Sequence, residues 1–203
     1  MTEKPTETYD KVVAFHGHMC PGLAIGMRAS ELALNEIGPH AHDEEVVAVV
    51  ETDMCGVDAI QFLTGCTFGK GNLVHLDYGK NAFSFYRRSD GKAIRIVTKP
   101  QSFGYPDQEW DALMTKLSTE GLSPDEEQRF QQKKEERTRL ILEAPLEDLF
   151  NIEQPARSAP RKARIHASLD CEECGERVME SRVRRFGGKN LCISCFELHE
   201  KKW

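Results

Sequence analysis

Near its C-terminus the chain carries Cys171-x-x-Cys174 and Cys192-x-x-Cys195, with seventeen residues between the two pairs. Two such knuckles at this spacing surround one tetrahedral zinc ion with four thiolates. A segment this short cannot bury enough apolar surface to fold without a staple. Val178–Phe186 reads as the intervening hairpin, Gly187-Gly188 as its turn and Phe196–Lys202 as a closing helix. Four thiolates fill the coordination shell, so a zinc here is structural. The remaining three of the seven cysteines, Cys20, Cys55 and Cys66, all lie in the first third of the chain. An odd cysteine count with two Cys-x-x-Cys pairs argues for metal ligation in a reducing compartment rather than for disulfides.

Ahead of this module, residues 153–165 hold two prolines and no apolar periodicity, and read as a linker. The expected division is therefore a core domain over 1–152, a linker over 153–165 and a zinc finger over 166–203. Charge divides similarly. Residues 1–154 carry 16 Lys+Arg against 26 Asp+Glu, a balance of −10, and residues 155–203 carry 11 against 7, a balance of +4. An acidic body repels nucleic acid, so nucleic acid is a partner the sequence allows but does not favour. No apolar run approaches the roughly 18–20 residues needed to span a bilayer. The first residues are polar and lack a signal-peptide core, so a cytoplasmic protein without membrane contact is expected.

Within the core domain, helices are expected over 5–15, from Pro21 to the stop at Gly38-Pro39, and over about 54–64, 107–118 and 124–142. Ser123, Pro124 and Glu126 form an N-terminal capping signature for the last of these. Val46–Val50 is a β-branched run that suits a buried strand. Strands are also expected at 73–77, 82–87 and 93–98, joined by turns at Asp77–Asn81 and Ser89–Lys92 into an antiparallel meander beside Val46–Val50. Leu146–Ile152 reads as a docking segment. The fold class is α+β: a mostly antiparallel sheet packed with helices, plus the small finger.

The chemistry-bearing residues of this domain concentrate in Phe15-His-Gly-His-Met-Cys-Pro-Gly22. His16, His18 and Cys20 can ligate a metal or carry protons. Pro21 at a first helical position puts Cys20 at a helix N-terminus, where free N–H groups and the helix dipole favour thiolate. Thr52-Asp53 as a cap would put Cys55 in the first turn of the next helix, with Asp58 one turn on. Cys66 sits in a glycine-rich loop. Taken singly, a cysteine is more often a small buried hydrophobe and a histidine more often a hydrogen-bonding group. Taken together, His18, Cys20, Cys55 and Asp58 form a candidate catalytic set, and His16, His18, Cys20, Cys55 and Cys66 a candidate second metal site. The loop around Lys70 lacks the spacing of a phosphate-binding P-loop.

The segments FHGHMCPGLAIGMR (15–28), CGVDAIQFLTGCTFGKGNL (55–73) and DYGKNAFSFYRR (77–88) resemble the family of formylmethanofuran dehydrogenase E-subunit-like proteins. The two knuckles and terminal helix resemble the DksA/TraR-type treble-clef finger, which several members of that family carry. The resemblance implies an α+β core, a homodimer and a metal-associated site at His16, His18, Cys20, Cys55 and Cys66, with Asp58 and Gln61 nearby. It also implies a link to a molybdenum or tungsten dehydrogenase acting on a C1 carrier, whose subunits become partners. Nothing in the chain has the cysteine run of a ferredoxin-type cluster. Three readings follow: a metal-binding accessory or enzyme-like protein, a zinc-finger regulatory or nucleic-acid-binding protein, and a thiol-redox protein.

Overall fold

The computed structural model describes residues 5–39 and 41–201. Residues 1–4, and Lys202 at the expected end of the closing helix, lie outside them. The chain divides into two units, Met1–Lys162 and Ala163–Trp203.

The first unit begins with α1 (Pro5–His16) and α2 (Pro21–Glu36), followed by β1 (Val46–Val50), α3 (Gly56–Thr64) and β2 (Leu73–His75). Next come β3 (Ala82–Arg87), β4 (Ala93–Thr98), a 3-10 turn, α4 (Gln108–Thr119), α5 (Pro124–Glu143), the one-turn α6 (Leu146–Leu149) and β5 (Phe150–Glu153). The five strands form one sheet in the order β2-β1-β3-β4-β5. All neighbours are antiparallel except β1 and β2, which are parallel. The fold is thus α+β with a mostly antiparallel sheet.

The expected meander is corrected at its first strand. β2 pairs with β1, not with β3, and β1 lies between them. Val46–Val50 is buried along its whole length, as suits a central strand. The chain leaves β1 through α3 and returns parallel to it, because a parallel neighbour requires a crossover connection. Asp77–Asn81 is therefore not a hairpin turn. It passes the end of β1, where the amides of Leu76 and Lys80 donate to the carbonyls of Val50 and Glu51. The docking segment is part helix and part strand: Phe150 is buried, and β5 adds an edge to β4.

Strand alternation gives the sheet two different faces. Val46, Ala48, Val50, Phe83, Phe85, Ile94 and Ile96 point to one core shared with Ala24, Ile25, Ala29 and Leu32 of α2. A second cluster, with Val12, Leu23, Met27 and Ala59, joins α1, α2 and α3. α5 starts with the expected capping box: the Glu126 amide donates to Ser123 Oγ and the Ser123 amide to the Glu126 carboxylate.

In the second unit, β6 (Ser168–Asp170) pairs with β7 (Arg177–Met179), β8 (Val183–Phe186) pairs with β9 (Lys189–Cys192), and α7 (Ile193–Glu200) follows. Val178–Phe186 is thus not one hairpin but is shared between two ribbons. Each ribbon carries one knuckle. Gly187 and Gly188, at φ +56° and +84°, form the two-residue turn of the second, which needs positive φ at both positions.

Candidate functional site

The site in the first unit is built where α2 and α3 cross. Their contact is backbone against backbone. A Cβ on Gly26 would lie 2.2 Å from the Gly56 carbonyl oxygen, and one on Gly56 would lie 3.1 Å from the Gly22 carbonyl oxygen. Only glycine allows this approach, and the approach brings the two helix N-termini together. Cys20 is the N-cap of α2, and its Sγ accepts from the Leu23 amide at 3.3 Å. Cys55 is the N-cap residue of α3 rather than a member of its first turn. Gly22 leaves room beside both sulfurs: its Cβ would sit 3.9 Å from Cys55 Sγ and 4.0 Å from Cys20 Sγ.

The third group comes from α1. His16 is the last residue of that helix, not part of the following turn. One ring nitrogen of His16 and the sulfurs of Cys20 and Cys55 all lie within 4.8 Å of one another. His16 Nδ1 stands 2.7 Å from the carboxylate of Asp58. A carboxylate accepts from an N–H, so in the neutral ring this contact places the proton on Nδ1 and the lone pair on Nε2. That Nε2 is buried and has no hydrogen-bond partner among the described residues. Burial, and then the neighbouring Cys20, push the Cys55 thiol above its ordinary pKa. Two sulfurs this close cannot both ionise cheaply unless a cation joins them.

Not every expected ligand arrives. Cys66 is fully buried, away from the cluster, and its thiol donates to the Val46 carbonyl at 3.5 Å. It is packed between helix and sheet, and burial raises its pKa. His18 is exposed, with its ring centroid 4.8 Å from that of His16. Gly17 at φ +98° ends α1 and turns the chain between the two histidines. Asp58 lies behind His16 and not among the sulfurs. Gln61 accepts from the Phe68 amide, which ties it to the loop. The sequence expectation gives Gly26 and Gly56 no role, and Gly22 enters it only as the end of the histidine–cysteine stretch. Their signal is small residues one helical turn apart on α2, next to a glycine immediately after Cys55.

In the second unit, ligand atoms of Cys171, Cys174, Cys192 and Cys195 all lie within 4.8 Å of one another. The Cys192 amide donates to Cys171 Sγ and the Cys195 amide to Cys192 Sγ. Amide donation from Cys174 and Cys192 brings the Cys171 thiol down to about 6. This donor set fits zinc and closes its shell.

The architecture defines an α+β protein with a thiol–imidazole cluster at crossing helix ends, followed by a four-cysteine finger. Residues 15–151 match the family described as FmdE, molybdenum formylmethanofuran dehydrogenase operon, and residues 165–201 match the prokaryotic dksA/traR C4-type zinc finger. The chain belongs to the FmdE family. It is similar to the crystal structure of a tungsten formylmethanofuran dehydrogenase FmdE-like protein from Syntrophus aciditrophicus, with a TM-score of 0.62 and 26% identity over 98% of this chain and 96% of that one. It is also 35% identical over 193 residues to a probable S-adenosyl-L-methionine-binding protein of Archaeoglobus fulgidus, covering 89% of this chain. The chain spans about half the length of that relative (50%). Among the described residues, no helix is long and apolar enough to cross a membrane.

Proposed function

We propose that His16, Cys20 and Cys55 hold a second metal, zinc or another borderline transition ion. The observation that carries this reading is the buried, unpartnered Nε2 of His16 on a residue that has a ring nitrogen clustered with two thiols. A buried polar atom without a partner is costly, and a metal ion removes that cost. The donor set is that of a borderline ion. Asp58 supplies the outer partner that metal-ligating histidines ordinarily have, fixing the ring and raising its basicity. Three protein ligands leave a position open, and a metal so held acts as a Lewis acid or lowers the pKa of a bound water.

In this reading the protein is a homodimeric cytoplasmic accessory to a C1-carrier dehydrogenase, with that enzyme's subunits as partners. Membership of the FmdE family supports the association. The finger serves structure and not nucleic-acid binding. Arg177 stands 3.8 Å from Asp170 and Lys189 3.7 Å from Glu173, so part of its basic face is already offset by its own carboxylates.

Metal analysis of the full chain tests the reading. Two metals per chain are expected, falling to one in the Cys20→Ala/Cys55→Ala variant. Asp58→Asn should keep the metal but weaken it by about 10–100-fold. One tightly held zinc in both the native and the double-variant protein refutes the second site.

A further inference from the structure

The outer face of the sheet carries a cleft that the thiol–imidazole cluster does not use. Residues 155–160 run across this face as a strap. One end continues from β5, where Arg95 pairs with Glu153 at 2.8 Å. The other is held by Arg88, whose Nη1 donates to the Pro160 carbonyl at 2.7 Å while its Nε donates to the Glu44 carbonyl. Ala156, Ser158 and Ala159 are too small to fill the gap beneath such a strap. Between strap and strands lies a cleft of about 530 Å³, within the range of small-molecule sites.

Its walls are half apolar and locally cationic. Val49, Val74 and Leu76 give an apolar wall, and Tyr86 and Tyr78 add two aromatic rings. Glu51 is buried and takes two bonds from Arg95, at 2.7 and 3.0 Å, and Arg95 also holds Glu153 at the rim, so this triad is net −1. The other two charged residues of the lining are Lys80 and Arg157. Neither has a carboxylate within ion-pair distance among the described residues, and Lys80 Nζ lies 5.9 Å from the centroid of the Tyr78 ring. Lys80 and Arg157, without ion-pair partners among the described residues, therefore leave this cleft net +1 beside the triad, on a body whose formal balance is −10 over residues 1–154. A cationic lining attracts anions locally even where the surrounding body is acidic.

We propose that this cleft binds a small planar aromatic anion, its ring against Tyr86 and Tyr78 and its anionic group between Lys80 and Arg157. Arginine and lysine serve carboxylate and phosphate alike, so the ligand's anionic group is one of these two. The test uses the full zinc-loaded chain at low salt, with calorimetric titration of adenosine 5′-monophosphate and of 4-hydroxybenzoate and with uncharged adenosine as control. Saturable binding of either anion is expected, and which of the two binds distinguishes phosphate from carboxylate. The Lys80→Ala/Arg157→Ala variant should lose about tenfold or more in affinity with an unchanged melting midpoint, since both side chains are exposed. Adenosine should bind at least about tenfold more weakly than its monophosphate where the phosphate arm binds. Failure of both anions to saturate up to about 10 mM, or binding that the double variant leaves unchanged, overturns the proposal.

Discussion

Replacing Gly26 by alanine should damage the fold and the proposed core-domain metal site together. The added Cβ would lie 2.2, 2.5 and 2.7 Å from the carbonyl oxygen, Cα and carbonyl carbon of Gly56. All three are backbone atoms, so no side chain can swing aside. Ordinary non-bonded contacts need about 3.5 Å, and relief requires α2 and α3 to separate by roughly 1 Å. Alanine gains about 1 kcal/mol of helix propensity over glycine. Overpacking of this kind costs about 1–3 kcal/mol and occasionally more, and an all-backbone clash belongs at or above the upper end. A net loss of about 2 kcal/mol is expected, which moves the urea midpoint of the first unit down by about 1 M for a slope near 2 kcal/mol/M. The same separation draws Cys20 and Cys55 apart, so cobalt affinity at that site should fall by about tenfold or more. Gly56→Ala should be milder, because its Cβ meets backbone at 3.1 and 3.4 Å. Gly69→Ala, where nothing lies within 4 Å, serves as control. A Gly26→Ala protein as stable as the native one, with unchanged cobalt binding, refutes the idea that the glycine contact sets the sulfur spacing.

Two further outcomes are expected. Cys66→Ala should leave the metal count of the full chain unchanged while lowering stability by about 1 kcal/mol through the small cavity it leaves, measured by metal analysis and urea unfolding; loss of a metal would return Cys66 to the ligand set. Glu126, held by Lys116 and the Ser123 amide, has its carboxyl pulled from 4.5 down to about 2. Its depressed value makes its contribution complete above about pH 4.5 and lost as pH falls through 2. The stability gap between native protein and Glu126→Gln should therefore be widest near neutrality and close in acid, as read by urea midpoints from pH 7 to 2; a constant gap refutes the pairing.

The finger was legible because knuckle spacing fixes its ligands before any packing is known. Cys20 was legible for a related reason: Pro21 marks a helix start in the sequence itself. Cys66 was misplaced because a glycine-rich loop says nothing about whether its thiol faces the cluster or the Val46 carbonyl. His18 shares its local motif with His16, and the positive φ of Gly17, which lies between them, has no signature beyond glycine. The meander failed at β2 because turn residues report the local chain reversal and not which strand already occupies the neighbouring edge. The Gly26–Gly56 contact joins two helices thirty residues apart, and neither glycine reveals the other. The helix amphipathicity that located α2 concerns its apolar face, whereas the site depends on the face with almost no side chain.

The glycine crossing also bears on how the proposed core-domain centre and the finger would load. Backbone contact places the Cα atoms of Cys20 and Cys55, so each sulfur has only its χ1 torsion left to settle. His16 is further restrained by Asp58. Little side-chain entropy remains to be lost when an ion enters, which favours a preorganised site. The finger has no such scaffold, so its folding should be coupled to zinc. Loading the His16–Cys20–Cys55 centre should therefore leave far-ultraviolet ellipticity nearly unchanged, and loading the finger should create structure.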